Sequence, residues 1–192
     1  MAVVQKQKPP SAGPKAIGQA LRDLRASPES ASVGGAQINL SAPLPVYRLG
    51  LNQLDEGNFL AKAAQVGWRY LMEGVAGGVA YADVRETGGA AKFTGLAQNE
   101  NAIRLLDAAH LAQKVAVDID GDCEARILDI PAVYVSAVWL SCANPLFIPY
   151  IYPPRFGSGK IEVQRDFLKQ LQQLAAAAKR QFGEREERTE LR

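Results

Sequence analysis

The sequence feature that most constrains the fold is an uncharged run of twenty residues, VYVSAVWLSCANPLFIPYIY, from Val133 to Tyr152. A run of this length is long enough to cross a bilayer as a helix. However, Pro145 and Pro149 interrupt it, and proline breaks the hydrogen-bond ladder inside a helix. Its first half is rich in Val, Tyr and Trp, which favour strands. We therefore expect two buried strands joined at residues 143–145, and no membrane span.

Three segments have the periodicity of amphipathic helices. Residues 15–27 follow Pro14, a residue suited to a first helical turn, and place Ile17, Leu21 and Leu24 on one face. Residues 99–113 begin with Asn99, a favourable N-cap. A final helix is predicted to start near Glu162 and to end at Gly183.

The segments between these helices have the alternation of strands. Residues 67–74 and 79–86 flank a glycine-rich turn and predict a hairpin. Residues 115–119 and 124–130 flank Asp120-Gly121-Asp122, and Asp-Gly between alternating runs is typical of a hairpin turn. Residues 37–40 and 46–51 can also be extended.

These elements predict an α+β fold, in which an antiparallel sheet packs against a central and a C-terminal helix. Residues 1–13 are expected to form a flexible basic arm, 14–183 a single domain and 184–192 a charged tail. A chain of 192 residues can bury a core without a disulfide or metal. The element order is similar, at the level of topology only, to roadblock-type modules and secretion chaperones. That resemblance favours an interaction protein.

The composition excludes several classes of protein. There are 22 Lys and Arg against 20 Asp and Glu, so a formal charge of +2 argues against long-range attraction to nucleic acid or anionic lipid. One histidine cannot supply a site that needs two imidazoles. We expect no metal and no cofactor. No secretory signal is recognisable, and Cys123 and Cys142 match no metal or redox motif, so we predict reduced thiols in a cytoplasmic protein.

Two short motifs resemble ligand loops but lack a required residue. The acidic residues between Asp118 and Asp129 have part of the spacing of a calcium loop, but Cys123 occupies the position that needs glycine. We expect a solvated acidic edge there, with weak cation binding or docking of a basic partner as alternatives. Residues 157–160, GSGK, resemble a phosphate loop, but Ile161 follows where Ser or Thr is required. A hinge before the last helix is the simpler interpretation.

His110 is the one candidate for general acid–base catalysis, because only imidazole titrates near neutrality without a perturbed pKa. Asp107 lies three residues earlier on the same predicted helix. None of the candidate nucleophiles lies in a strained-turn motif. They are Ser136, Ser141, Cys123 and Cys142. A small-molecule binder or hydrolase-like enzyme using His110 is therefore the alternative function, and the catalytic residues stay unknown.

Two sets of residues in the sequence indicate possible binding surfaces. Arg48, Trp68, Arg69 and Arg85 lie on neighbouring predicted strands and can form a cationic and aromatic sheet face that binds a carboxylate or stacks a base. The simpler alternative is an exposed sheet side lined by arginines. The last helix carries an apolar stripe that can pack against the rest of the chain or against a partner. Its central residues are Phe167, Leu171 and Leu174.

These observations favour a non-catalytic protein-interaction or scaffold module over an enzyme. The predicted partner is another protein or a second copy of the chain, which would make a homo-oligomer. No nucleic-acid motif is recognisable in the sequence.

Overall fold

The computed structural model describes residues 7–25, 39–55, 58–75, 78–119, 121–154, 156 and 160–190. These residues form three helices and a sheet of nine strands. The helices are α1 (Gly13–Arg25), α2 (Glu100–Val117) and α3 (Gln164–Glu190). The strands are β1 (Asn39–Leu40), β2 (Leu44–Arg48), β3 (Ala64–Val75), β4 (Gly78–Thr87), β5 (Ala90–Ala97), β6 (Glu124–Ile130), β7 (Val135–Ser141), β8 (Leu146–Ile151) and β9 (Glu162–Val163).

The sheet is built from two antiparallel meanders that meet at a parallel pair. The order is β5-β4-β3-β2-β6-β7-β8-β9, and β1 pairs with the far end of β3. The parallel pair is β2 with β6, which places Val46 beside Ile127 and Arg48 beside Asp129. Each meander follows a helix, α1 in the first half and α2 in the second. Strands from distant parts of the sequence therefore share the middle of one sheet.

The two sides of the sheet are covered by different helices. Side chains alternate along a strand, so Trp68 and Tyr70 point to one face and Arg69 and Leu71 to the other. Face A carries α1 over Trp68 and Tyr70, and α3 over the strands of the second meander. Face B carries α2, whose buried alanines pack on Leu71 and on residues of the central strands. Both faces thus contain core.

Most of the predicted architecture is confirmed. The α+β class, the antiparallel sheet and the helices alongside it are all present. Residues 67–74 and 79–86 form the β3–β4 hairpin, in which Trp68 pairs with Val84. The uncharged run forms β7 and β8, an antiparallel pair. Within the described residues, no helix combines the length and the apolar composition that a membrane crossing needs.

The prediction of a strand at residues 115–119 and of a hairpin across the Asp-Gly turn is wrong. Helix α2 continues to Val117, because Ala112 and Ala116 are buried on the sheet and extend its packed side. Residue Gly121 has a φ of 103° in the connection between α2 and β6. Here tertiary packing of small side chains outweighs the strand preference of the valines.

The predicted end of the last helix also differs from the structure. Helix α3 continues past Gly183 to Glu190, through most of the predicted tail. At the other end, the described part of the predicted arm contacts the body, since the side-chain amide of Gln7 donates to the Tyr47 hydroxyl at 2.8 Å. Residues 1–6, Asp120 and the loop 157–159 lie outside the described residues.

The prediction of reduced thiols is wrong. Cys123 and Cys142 form a disulfide, and no described cysteine is free. They immediately flank Glu124 and Ser141, which are cross-strand partners in β6 and β7. Spacing along the sequence could not reveal this pair, because the antiparallel register alone brings the two sulfur atoms together.

Candidate functional site

A buried arginine lies at the centre of the polar groups on face B. Arg69, in the middle of β3, is only 5% exposed. Its Nε and Nη2 donate to the two carboxylate oxygens of Asp83, at 2.7 and 2.8 Å. Its Nη2 also lies 3.3 Å from an oxygen of Asp129 on β6. This bidentate arrangement is the strongest form of ion pairing that arginine makes.

Two tyrosines and a serine complete this buried cluster. The guanidinium donates to the Tyr150 hydroxyl and lies 4.3 Å from the centre of the Tyr81 ring. The Ser136 hydroxyl donates to Asp129 at 2.7 Å. The donors of Arg69 are thus directed at partners inside the protein. This network connects β3 with β4, β6 and β8, and through Ser136 with β7.

The pKa values of this cluster favour charged arginine and neutral tyrosine. Burial on its own lowers the pKa of Arg69, but Tyr150, Asp83 and Asp129 together raise it above its ordinary value. Burial raises the pKa of Tyr150 well above its ordinary value, although Arg69 opposes this. Burial also raises the pKa of Tyr81. Neutral Tyr150 therefore accepts a hydrogen bond from Arg69 and is not an acid near neutrality.

Above this cluster, part of face B carries exposed cations. Arg48, Arg85 and Lys92 are exposed, and they belong to β2, β4 and β5. Arg85 and Lys92 are direct cross-strand partners, and two residues before Arg85 is Asp83, the partner of Arg69. Arg48 lines the same small cavity as Arg85, Asp83 and Asp129. We call Arg48, Arg85 and Lys92 the cationic face.

The two acids beside Arg69 have internal partners, and a third acid, Glu86, is exposed next to Arg85 on β4. Five cations (the cationic face, Arg69 and Lys8) accompany three acids (Asp83, Asp129 and Glu86), so the formal sum is +2. Asp83 gives both oxygens to Arg69, and Asp129 is shared between Arg69 and Ser136. Asp83 and Asp129 therefore neutralise the buried arginine, and the exposed cations outnumber Glu86 in this part of the sheet.

Arg85 and Lys92 have little internal compensation. The Nε of Arg85 donates to the Val66 carbonyl at 3.2 Å, a neutral acceptor. Within the described part of the chain, the Lys92 side chain makes no hydrogen bond or ion pair. Like charges directly across a strand pair destabilise the pair. The fold thus keeps two like charges opposite each other on the outer strand pair β4–β5.

Two cavities border the cationic face near Gly67. The smaller, about 40 Å³, lies among Arg48, Asp83, Arg85, Thr94 and Asp129. The larger, about 540 Å³, is lined by Lys8, Trp68, Arg85 and the acidic Glu86, together with residues of β3. Gly67 has room for no side chain, because an added Cβ would lie 2.6 Å from the Val84 carbonyl oxygen. Both cavities are therefore lined by charged side chains of both signs.

The structure brings together three of the four residues predicted for the cationic sheet face. Arg48, Arg69 and Arg85 lie on face B, although Arg69 is buried and paired. Trp68 points to the opposite face, where it is buried in the α1 core. Trp68 directly precedes Arg69 on β3, and side chains alternate along a strand, so the two side chains point to opposite faces. The combined cationic and aromatic surface therefore does not form, and a cationic surface remains.

The predicted apolar stripe is mostly core. Phe167 and Leu171 are both 0% exposed, and Phe167 stacks on Phe147 with ring centres 4.3 Å apart. Leu174 is partly buried against the same cluster. The two buried side chains are available to no partner in this conformation, because α3 uses them to cover the second meander.

The residues of the catalytic alternative are dispersed. His110 is exposed, and its imidazole has no hydrogen bond or ion pair among the described residues. The thiols of Cys123 and Cys142 are joined in the disulfide. Ser136 donates to Asp129 inside the buried cluster. Among the described residues, no hydrogen bond joins His110 to these groups or to Ser141 on β7, so the imidazole activates none of the four candidates.

The acidic stretch does not form the predicted strand edge. Asp118 caps the end of α2, and Glu124 is buried at the start of β6, where it accepts a hydrogen bond from Arg126 at 2.7 Å. Among the described residues, no group of three or more His, Cys, Asp or Glu side chains is placed to hold a metal ion.

Sequence reasoning missed the acid partners of Arg69 and the position of Lys92. The predicted hairpin contains both Arg69 and Asp83. The register that pairs them directly comes from the structure. Asp129 and Tyr150 carried no such signal, because β6 and β8 join the cluster from 60 and 81 residues away. Lys92 lies on β5, a strand with small residues that sequence alternation did not single out.

Comparisons with known proteins give no relatives. No family model matches the chain, and neither the curated proteins nor the solved structures gave a significant match. The resemblance in element order to roadblock-type modules and secretion chaperones gains no support from these comparisons. Functional inference therefore depends on the site alone.

Proposed function

We propose that this protein is a non-catalytic interaction module that binds an acidic partner protein through its cationic face. The observation that carries the proposal is the cross-strand pair of Arg85 and Lys92. These two cations repel each other on an exposed strand pair. A bound carboxylate would relieve that repulsion, so binding gains energy that the free protein lacks.

Electrostatic recognition of this kind suits a partner with clustered acids. Asp83 and Asp129 are held by Arg69 and Ser136, whereas the exposed Glu86 beside Arg85 competes with the partner for the cations. Exposed charges act mainly on the association rate and on specificity, and their effect falls with salt. We expect strongly salt-dependent binding.

The enzyme alternative with His110 remains a weaker proposal. Its support is limited to the chemistry of imidazole, since Cys123 and Cys142 are joined in the disulfide and Ser136 donates to Asp129. Self-association also remains a proposal, although the buried Phe167 and Leu171 remove the surface that first suggested it. Cytoplasmic location is weakened as well, because stable disulfides are rare in reducing compartments.

Charge reversal tests the proposed function. Affinity capture from the native cell would be followed by titration of the main captured protein against three forms of the full chain. These are the natural protein, the double variant Arg85→Glu/Lys92→Glu and the control Lys15→Glu/Lys169→Glu. The control has the same change of net charge on α1 and α3, at exposed positions over face A.

We expect the first variant to lose at least about tenfold in affinity, a change of ~1.4 kcal/mol. The control should bind within about twofold of the natural protein, since only its net charge has changed. Equal affinities of the two variants would contradict the proposal. Thermal unfolding of all three forms establishes that each is folded.

A further inference from the structure

We infer that the outer edge of β5 accepts an extended acidic segment of the partner as an additional β-strand. The inference rests on the proposed function and names how the partner binds at the cationic face. Strand β5 (Ala90–Ala97) ends the sheet on the side of the first meander. It pairs with β4 on one side, and no described strand lies on its other side.

The edge of β5 has the backbone needed for strand addition. Its eight residues, AAKFTGLA, contain no proline, and seven of the eight carry no charge. Sheet edges are usually protected by charges, prolines, bulges or short length, and β5 has Lys92 and a register shift opposite Asp83 and Val84. At the opposite end, β9 has only the two residues Glu162–Val163. Strand β5 is therefore the longer edge, with six further residues available for pairing.

The two sides of β5 specify the side chains of the added strand. On face B, Lys92 lies directly across from Arg85. On face A, Phe93 and Leu96 are partly buried and pack against the cluster that contains α1. A strand added beside β5 would place alternate side chains on these two faces. The matching segment has acidic residues on one side and apolar residues on the other.

A second copy of the chain is a poorer occupant of this edge. Pairing of β5 with itself would bring two Lys92–Arg85 pairs onto one sheet, and like charges on neighbouring strands are destabilising. An acidic segment has the opposite effect. Charge complementarity thus selects a partner strand of alternating acidic and apolar residues over self-association.

The test uses a labelled, end-capped peptide in which Glu alternates with Val or Thr. A second peptide has the same sequence with N-methyl groups on alternate amides along the edge that would pair with β5. Methylation removes backbone donors and leaves every charge in place, so it separates strand addition from simple charge attraction. A third peptide has the same composition, but its Glu residues are grouped at one end.

We expect saturable binding of the alternating peptide to the full chain, with at least tenfold weaker binding of the N-methylated and grouped peptides. Amide hydrogen exchange should slow within residues 90–97 on binding and should be unchanged in β9. Binding should also fall at least tenfold in Lys92→Glu and remain unchanged in Lys169→Glu.

Two results would overturn strand addition. One is equal binding of the alternating and N-methylated peptides, which would leave an acidic partner at the cationic face intact as the proposed function. The other is no saturable binding of the alternating peptide at millimolar concentration. The charge-reversal titration with the natural partner decides the proposed function separately in either case.

Discussion

Arg69 and Asp83 are cross-strand neighbours in the β3–β4 hairpin, and both carboxylate oxygens of Asp83 accept hydrogen bonds from the Arg69 guanidinium, at 2.7 and 2.8 Å. Arg69 is buried, whereas the Asp83 side chain is 31% exposed. The pair therefore connects the interior of the sheet to its surface beside Arg85. Both oxygens of Asp83 are thus engaged by Arg69 and not by the exposed Arg85 two residues later.

Removal of Arg69 should destabilise the protein strongly. Arg69→Met would leave Asp83 and Asp129 without their main counter-charge, and loss of one partner from a buried pair costs about 3–5 kcal/mol. Urea unfolding at neutral pH measures this loss. Arg48→Met, a control on the same face at an exposed position, should change stability by less than ~0.5 kcal/mol. Similar losses for the two variants would mean that the buried cluster has no special structural role.

Stability should fall at alkaline pH because of the buried tyrosines. Burial raises the pKa of Tyr70, Tyr81 and Tyr150 in the folded protein, whereas an unfolded tyrosine titrates near about 10. The folded state therefore holds these protons more tightly. The contribution of these tyrosines to the free energy of unfolding is fully present below about pH 10. It is lost as the pH rises through their pKa values in the folded protein. Urea midpoints from neutral to strongly alkaline pH measure the effect.

Tyr150→Phe should flatten this alkaline decline, since it removes the most deeply buried phenol. It should also lower stability at neutral pH, because the Arg69 donor loses its acceptor. Tyr134→Phe is the control, since Tyr134 is 65% exposed. An alkaline decline that is identical in all three proteins would show that Tyr150 does not contribute to it.

The disulfide should contribute substantially to stability. Its cysteines are 19 residues apart, and closing a loop of this size stabilises a fold by about 3 kcal/mol. Cys123→Ala/Cys142→Ala should lower the free energy of unfolding by about that amount. Reductant should destabilise the natural protein in the same way and leave the double variant unaffected. Two reactive thiols in the natural protein, purified without reductant, would contradict the bond.

Two glycines of α1 should respond in opposite directions to alanine. A Cβ at Gly13 would lie 2.2 Å from the buried Tyr70 hydroxyl oxygen, so Gly13→Ala should cost about 1–3 kcal/mol through overpacking. Gly18 has open space, with its nearest contact 4.0 Å away. Gly18→Ala should stabilise the helix by up to ~1 kcal/mol. Thermal or urea unfolding of both variants tests the contrast, and equal effects would refute the close approach of α1 to Tyr70.

Lys92→Glu should stabilise the free protein while it weakens binding. The change turns a repulsive cross-strand pair into an attractive one with Arg85, a gain of about 0.2–1 kcal/mol. Urea unfolding at low and high salt measures the gain, which should shrink as salt screens the charges. Unchanged or lower stability at low salt would show that Arg85 and Lys92 do not repel each other in the natural protein.

Local sequence patterns predicted the elements whose partners are close in the chain. The β3–β4 and β7–β8 hairpins follow from alternation and turn residues, and α1 follows from its apolar spacing. Where packing opposed local preference, the pattern failed. Val115 and Val117 favour a strand, but they lie in α2 because the adjacent alanines are buried against the sheet.

The sequence by itself thus determined the fold class, the local hairpins and the presence of arginines on neighbouring strands. Only the tertiary structure decided which arginine is buried, which acids neutralise it and which cations stay exposed. It also decided the disulfide. The physical reason is that β2 pairs with β6 and β8 reaches Arg69 across long stretches of chain. Such long-range pairing depends on the burial of the whole core, so no local pattern in the sequence predicts it.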